Sequence, residues 1–303
     1  MSKPPIKNLP ASIKDRLLNQ ARLSGRPFNE LLQYYAIERF LYRLCQSKHA
    51  GQFVLKGALL FRLWGLPAFR PTRDIDLLGY TRNEVKNLVV IVQDICRQVV
   101  QEDGLLFDLD TVTGERIKED ADYEGVRVRF SGLMGKARVH LQLDVGFTDI
   151  VSPAPILKSY PVILPMPAPE LHSYPPEAVV AEKLQIMVYL GTINSRMKDF
   201  YDAWILANQF DFEGDALQKA IHLTFEHRNT GIPASQPVAF SAQFAREKQS
   251  QWRAFLTTSA ITDVPDQLEL ILTCLQEFIL PIFQSSHAGR KFGKKWKAGG
   301  PWE

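Results

Sequence analysis

A short alternating segment, Asp74-Ile75-Asp76-Leu77, constrains the fold of this chain more than any other feature. Successive side chains of a β-strand point to opposite faces, so Asp74 and Asp76 project together from one face. Ile75 and Leu77 then point into a core on the other. Two neighbouring carboxylates repel each other, and such a pair is typical of a site for a hard cation, Mg²⁺ or Mn²⁺. The segment therefore predicts a strand with a metal site on its polar face.

A glycine turn precedes this strand. The apolar residues Phe53-Val-Leu have the composition of a short strand, and Lys56, Gly57 and Ala58 follow them. A turn of this kind ahead of a helix presents backbone N–H groups, which commonly hold phosphate. Together with the carboxylate pair, these three residues predict a metal-dependent nucleotidyltransferase site. The alternative for the carboxylates is ordinary ion pairing with Arg70 and Arg73.

A third carboxylate lies on another predicted strand. Asp144 belongs to an alternating segment in which Leu143 and Val145 take the opposite face. In a mixed sheet this strand could lie beside the first and complete a three-carboxylate metal cluster with Asp74 and Asp76. The alternative is that Asp144 is an ordinary polar residue of a half-exposed strand, although Asp is disfavoured there.

The second half of the chain offers further charged candidates on predicted helices. Lys183 could hold a phosphate as a point charge. Asp199 and Asp202 lie three residues apart and share one side of the next helix. The alternative for all three is an exposed, solvated helix face. No GxxxxGK[ST] loop, GxSxG motif or paired-histidine spacing occurs, which argues against a P-loop NTPase, a serine hydrolase and a zinc site.

The composition is that of a globular protein, with 46% hydrophobic and 23% charged residues in 303. No run of about 18 apolar residues occurs, so we expect no membrane span. The N-terminus lacks the apolar region of a secretory signal. The three cysteines are far apart in sequence, without CxxC spacing. This pattern favours a reducing, cytoplasmic location over a disulfide framework.

The basic charge is concentrated at the C-terminus. The chain has 36 basic and 33 acidic residues, and residues 286–303 carry the whole excess. The basic residues of this segment are Arg290, Lys291, Lys294, Lys295 and Lys297. Such a segment is a candidate contact for a nucleic-acid backbone, with its aromatic residues available for stacking on unpaired bases. The alternative is that Trp296 and Trp302 fold back and pack on the helical half.

The element pattern predicts an α+β fold. We expect a small mixed-sheet domain with flanking helices over residues 1–165, a C-terminal α-helical domain over 166–285, and a basic aromatic tail over 286–303. Alternating apolar residues from 105 to 147 predict strands. Residues 11–47 and 176–190 have helical periodicity. A proline-rich connector, 152–169, marks the expected boundary.

Several segments of the chain, taken in their order along the sequence, resemble the AbiEii/AbiGii family of toxin nucleotidyltransferases, which belongs to the polymerase-β-like superfamily. The matching segments extend over most of the chain. They are Leu31 to Leu44, Phe53-Val-Leu-Lys56-Gly57, Arg70-Pro-Thr-Arg-Asp74-Ile-Asp76, Leu143-Asp144-Val, Ala181-Glu182-Lys183-Leu, Arg196-x-Lys198-Asp199-Phe-Tyr-Asp202, and a closing Gly-Pro-Trp302.

The resemblance implies a toxin with a winged-helix antitoxin partner, which uses an NTP and Mg²⁺ (or Mn²⁺) to transfer a nucleotidyl group. The implied acceptor is RNA, at the 3′ end of a tRNA. The alternatives are transfer of NMP to a protein hydroxyl and a catalytically silent NTP-binding regulator. Ala58 stands where many members have a hydroxyl-bearing residue, which removes one phosphate contact.

The resemblance also assigns roles to residues. It implies that the metal ligands are Asp74, Asp76 and Asp144, that the catalytic residues are Asp74, Asp76, Lys183, Asp199 and Asp202, and that the nucleotide contacts are Lys56, Gly57, Ala58, Arg70 and Lys183.

Overall fold

The computed structural model describes residues 8–66, 72–120 and 123–303. The α-helices are α1 (Leu9–Ser24), α2 (Phe28–Gln46), α3 (Leu59–Leu63), α4 (Val85–Arg97), α5 (Pro176–Leu190), α6 (Met197–Gln209), α7 (Gly214–His227), α8 (Ala242–Thr258) and α9 (Leu268–His287). The strands are β1 (Phe53–Lys56), β2 (Asp74–Gly79), β3 (Leu106–Asp120), β4 (Tyr123–Met134), β5 (Ala137–Gly146), β6 (Ile156–Ser159), β7 (Glu170–Ser173), β8 (Phe212–Glu213) and β9 (Lys295–Trp296). The mixed α+β architecture predicted from the sequence is confirmed.

The contacts divide the described chain into two compact units. Unit 1 contains residues 8–65, 72–120, 123–148 and 157–173, and unit 2 contains 66, 149–156 and 174–303. The domain boundaries that the sequence analysis places at 165/166 and 285/286 stay a proposal. Residues 166–173 lie with unit 1 because β7 pairs in parallel with β1, at Leu55 and Ser173. Strand β6 lies within the proline-rich connector and β7 directly follows it, and the composition of the connector predicted neither.

Unit 1 is built on a seven-stranded mixed sheet in the order β3-β4-β5-β2-β1-β7-β6. Strands β2 and β5 pair in parallel, whereas β1 pairs with β2, and β4 with both β3 and β5, in antiparallel orientation. Alternating apolar residues of β4, β5 and β2 bury one face of this sheet. Helix α2 contacts β5, and α4 contacts β3 and β4. The core of unit 1 therefore lies between the sheet and these helices, which leaves the polar side chains of β2 and β5 on the opposite face.

Unit 2 is a helical bundle with a small two-stranded sheet. Helix α5 contacts α6 and α7, and α6 and α8 contact α9. Helix α5 begins at Pro176, with Glu177 in its first turn, and ends before Gly191, as its sequence predicts. The largest fully buried side chains of unit 2 are aromatic, and they pack between its helices.

The C-terminal segment belongs to this bundle. Strand β9 pairs with β8, and Trp296 is almost fully buried, with its indole N–H donating to Ala207 O at 2.7 Å. The ring of Trp302 stacks on Phe278 at 5.8 Å, and Phe292 is buried beside it at 4.8 Å. The aromatic residues of 286–303 are therefore packed rather than available for base stacking, which is the folded-back arrangement.

Helix α9 is the one described helix long and apolar enough to cross a membrane by length and composition. Its residues Ile271, Leu275, Phe278 and Ile282 are fully buried inside unit 2. A buried core helix of a globular bundle has the same composition, so this helix is weak support for a membrane segment.

Candidate active site

Four charged residues form one row across four neighbouring strands of unit 1. Asp76 of β2 lies opposite Lys56 of β1, and on its other side opposite Asp144 of β5. Asp144 in turn lies opposite Arg127 of β4. Residues directly opposite each other point to the same face of a sheet. This cross-strand row therefore carries Lys56, Asp76, Asp144 and Arg127 side by side, with two acidic groups between two basic ones.

Asp74 extends the site by one step along β2. It lies two residues from Asp76, on the same face, opposite Gln142 of β5. Both carboxylates are half-buried, while Ile75 and Leu77 are buried on the core side. The geometry expected for the Asp74-Ile-Asp-Leu segment is thus present.

Gly57 lies against the Asp76 carboxylate. Its φ is +71°, and a Cβ placed on it would lie 2.6 Å from Asp76 Cγ, closer than any real contact. A side chain at this position is excluded by both the left-handed backbone and the carboxylate. The turn between β1 and α3 therefore brings bare backbone to the acidic pair.

Some of the backbone N–H groups that follow this turn are already used as donors within it. Helix α3 has five residues, and the N–H groups of Leu60 and Phe61 already donate to Gly57 O and Ala58 O. The Ala58 side chain is buried, so it presents no polar group to a nucleotide. Arg70, also predicted to bind the nucleotide, lies outside the described residues.

Asp144 makes a two-pronged ion pair with Arg127. Arg127 Nε donates to Asp144 Oδ1 at 2.8 Å, and Nη2 donates to Oδ2 at 2.7 Å. This contact raises the pKa of Arg127, which therefore stays charged. Gln142 Nε2 donates to Asp144 Oδ2 at 3.3 Å and to Asp74 Oδ1 at 2.9 Å. An amide group thus bridges the two carboxylates.

A hard divalent cation fits the acidic pair by donor chemistry. Asp74 and Asp76 supply oxygen ligands on one face, next to a turn with no side chain. Among residues 8–66, 72–120 and 123–303, no three His, Cys, Asp or Glu side chains are grouped so that they could hold a metal. The three-carboxylate cluster expected with Asp144 is therefore not assembled in this structure, and both oxygens of Asp144 accept from Arg127 instead.

The other predicted residues form a separate cluster in unit 2. Lys183 Nζ of α5 lies 2.9 Å from Asp199 Oδ1 and 2.7 Å from Asp202 Oδ2, both on α6. Arg196 Nε lies 2.7 Å from Asp199 Oδ2. Burial alone would raise the pKa of Asp199, but Lys183 and Arg196 lower it below the ordinary value. The solvated-face alternative is excluded, since both carboxylates are buried.

Sequence reasoning missed two residues of the sheet site, Arg127 and Gln142. The alternation of β4 and β5 assigns both to the polar face, which is the available signal. Their contacts depend on which strands are neighbours, and β2 pairs with a strand that follows it 68 residues later (Asp76 with Asp144). Local patterns carry no information on such pairing.

Known proteins were then compared with this chain. The family described as nucleotidyl transferase AbiEii toxin, Type IV TA system, matches residues 39–273. A search of curated proteins found no match.

Two of the similar solved structures are from Helicobacter pylori. JHP933 has 14% identity and a TM-score of 0.46, over 90% of this chain and 96% of its own. A second chain, assigned as a nucleotidyltransferase, has 14% identity and a TM-score of 0.41, over 91% of this chain and 99% of its own. Because the family match extends over most of the sequence, the chain belongs to the AbiEii nucleotidyltransferase toxin family of type IV toxin–antitoxin systems.

Proposed function

We propose that this toxin transfers a nucleotidyl group from an NTP to the 3′ end of an RNA, with tRNA as the acceptor and Mg²⁺ or Mn²⁺ as the cofactor. The observation that carries the proposal is the pairing of Asp74 and Asp76 on one sheet face against the bare backbone of Gly57. Membership of a nucleotidyltransferase family supports it.

The roles of the residues follow from their chemistry. Asp74 and Asp76 would hold the cation, which when bound neutralises triphosphate charge. Gly57 would let the nucleotide approach the pair closely. Lys56, which is buried on the same face, adds positive charge beside Asp76. The RNA 3′-hydroxyl loses its proton to solvent and its oxygen forms the new ester with the α-phosphorus, while the bond from that phosphorus to the bridging oxygen breaks and pyrophosphate leaves.

The unit 2 cluster is proposed to take part through Lys183 as a triphosphate contact, with Asp199 and Asp202 as its acidic partners. These carboxylates hold Lys183 in place and neutralise it. A phosphate contact would therefore require Lys183 to exchange a carboxylate oxygen for a phosphate oxygen.

The RNA partner is supported by charge at the C-terminal segment. Arg290, Lys291 and Lys294 are exposed, and the described part of the chain gives them no acidic partner. Lys295 and Lys297, in contrast, pair with Glu213 at 2.8 Å and with Asp211 at 3.0 Å. The exposed three would follow a phosphate backbone by charge, without aromatic stacking.

We also propose a winged-helix antitoxin as the protein partner and the cytoplasm as the location. Type IV toxin–antitoxin membership supports an antitoxin. Cys45, Cys96 and Cys274 are free thiols, the form expected in a reducing compartment.

One experiment tests the proposal. The purified protein is incubated with each labelled NTP, Mn²⁺ or Mg²⁺, and total tRNA, in parallel with Asp76→Asn and the exposed control Asp15→Asn. We expect label on RNA for the wild type and Asp15→Asn, and none for Asp76→Asn. Label on protein would support transfer to a hydroxyl of a protein instead, and NTP binding without transfer would support the silent regulator. Equal activity of Asp76→Asn would contradict the site.

A further inference from the structure

Both oxygens of Asp144 are occupied by a basic side chain at the place where a third metal ligand is expected. The Asp144 side chain is 8% exposed and that of Arg127 is 28% exposed. The two bonds of 2.8 and 2.7 Å match the paired N–H donors of a guanidinium to a carboxylate. The Arg127 side chain thus already supplies positive charge to Asp144.

Gln142 completes the same arrangement on the side of Asp74. Its Nε2 group donates to Asp74 at 2.9 Å and to Asp144 at 3.3 Å, while its Oε1 accepts from Arg129 Nε at 3.3 Å. The partial positive charge of the amide lies between two carboxylates that would otherwise repel each other. The Gln142 NH₂ group therefore reduces the repulsion between the Asp74 and Asp144 carboxylates, as a cation bound there would.

We propose that Arg127 and Gln142 stabilise the metal-free form of the site, and that a divalent cation binds by taking Asp144 from Arg127. The inference rests on the proposed function, because it concerns the cation held by Asp74 and Asp76. Arg127 is then a positioning residue that sets the affinity for metal. Once displaced, its guanidinium is a donor for a phosphate, whose oxygens it matches as well as those of a carboxylate.

If Arg127 and the cation compete for Asp144, loss of the Arg127 side chain should strengthen metal binding rather than weaken it. Arg127→Met removes the competitor, so Asp144 becomes available and the affinity for Mn²⁺ should rise. We expect a roughly 1.5- to fivefold lower Kd, the range for loss of a partly exposed ion pair. A purely structural ion pair predicts the reverse, since its loss would disorder Asp144 and weaken binding.

Removal of any positive charge near the site would also favour a cation, so a matched control is needed. Arg129 lies two residues along β4 on the same face and pairs with Glu115 at 2.7 Å, without a contact to Asp144. Arg129 Nε also donates to Gln142 Oε1 at 3.3 Å, so Arg129→Met removes the same charge from the same face together with one contact of Gln142, while the Asp144 pair with Arg127 stays intact. The affinity gain in Arg127→Met should exceed the gain in Arg129→Met.

The experiment is calorimetric titration of the full chain with MnCl₂ for the wild type, Arg127→Met, Arg129→Met and Asp74→Asn. Asp144→Asn, alone and with Arg127→Met, completes a double-mutant cycle. The proposal expects Arg127→Met to tighten binding only when Asp144 is present. An equal gain in the Asp144→Asn background, or no gain beyond that of Arg129→Met, would overturn it.

A second variant covers the case in which Arg127→Met does not fold, and the Asp74→Asn titration distinguishes failure of the metal site from failure of this inference. If Arg127→Met does not fold, Arg127→Lys keeps the charge but loses the paired donors, and it should still tighten Mn²⁺ binding. If wild-type protein shows no Mn²⁺ binding that Asp74→Asn abolishes, the metal site of the proposed function fails, and this inference fails with it. If that binding is present but insensitive to Arg127, the inference alone is wrong.

Discussion

At the scale of single residues, the main feature of the candidate active site is the close approach of the Gly57 backbone to the Asp76 carboxylate. Gly57 has a φ of +71° and lies against Asp76, whereas Gly65 has a nearly equal φ of +69° with nothing within 4 Å of its added Cβ. The two glycines share a backbone requirement and differ only in their surroundings. A comparison of alanine substitutions at Gly57 and Gly65 therefore separates the effect of backbone strain from the effect of a clash with the Asp76 carboxylate.

Gly57→Ala should abolish nucleotidyl transfer and lower stability. Strain at a positive φ costs roughly 1 kcal/mol in both variants, and the clash with Asp76 is added only at Gly57. Gly65→Ala should therefore lose stability alone and keep its activity. Urea unfolding and the transfer assay on both variants check this. Retained activity in Gly57→Ala would contradict the assigned position of the acidic pair.

A second residue-scale prediction concerns Glu38, which is fully buried on α2. Burial raises its pKa to about 7, although Ile163 N–H donates to its Oε2 at 2.9 Å and Arg39 is nearby. The native protein thus keeps a proton that the unfolded chain releases above its ordinary pKa of 4.5. The contribution of Glu38 to the free energy of unfolding is therefore complete below about pH 4.5 and declines as the pH rises to about 7.

Glu38→Gln should remove this decline, because an amide cannot lose the proton. The difference in unfolding free energy between pH 5 and pH 8 should shrink by roughly 2–3 kcal/mol relative to wild type. Thermal and urea unfolding at both pH values measure it, with the exposed Glu102→Gln as the control. A pH profile of Glu38→Gln that matches wild type would disprove the assignment.

At the scale of elements, sequence periodicity predicted most of the helices and the strands that carry the acidic residues. The bounds of α5 follow from Pro176 and Gly191, which act locally. Strand parity correctly assigned Asp74 and Asp76 to one face. The neighbours of β2 could not be predicted, since they depend on pairing between distant segments. For the same reason the sequence did not predict the ion pair of Arg127, or strands β6 and β7 in and just after the proline-rich connector.

The pair of helices α5 and α6 supplies an element-scale prediction. Lys183 is 13% exposed, and its partners Asp199 and Asp202 are 4% and 1% exposed. Lys183→Met leaves two buried carboxylates with less positive charge, so it should lower the unfolding free energy by about 3–5 kcal/mol. Lys14→Met, on the exposed side of α1, should change it by less than about 0.5 kcal/mol. Equal stability of the two variants would show that the ion pairs of Lys183 do not stabilise the fold.

At the scale of the whole molecule, the net charge of +3 is small, so nucleic-acid binding depends on where charge is exposed. The C-terminal segment separates into two classes of basic residue. Arg290 and Lys294 are exposed without a described acidic partner, whereas Lys295 and Lys297 are paired. A pair of double variants with the same change in net charge can therefore test direct contact.

Arg290→Gln with Lys294→Gln should weaken RNA binding more than Lys295→Gln with Lys297→Gln. Loss of two phosphate contacts to a single strand should reduce the slope of log K against log salt by about 1.4. Binding of a labelled tRNA at several salt concentrations measures the slope, and thermal unfolding verifies that unit 2 is intact. Equal slopes for the two double variants would show that net charge alone attracts the RNA.

The pairing of β2 with β5 also has a consequence for the time at which the toxin becomes harmful. A ribosome synthesises the chain from its N-terminus, so Asp74 and Asp76 are made well before their sheet neighbour at Asp144. A nascent or prematurely terminated chain that stops before Ala137 has the two acidic residues without the strand that supports them. Such fragments lack the β2–β5 pairing, so we expect them to show no nucleotidyl transfer although both acidic residues are present.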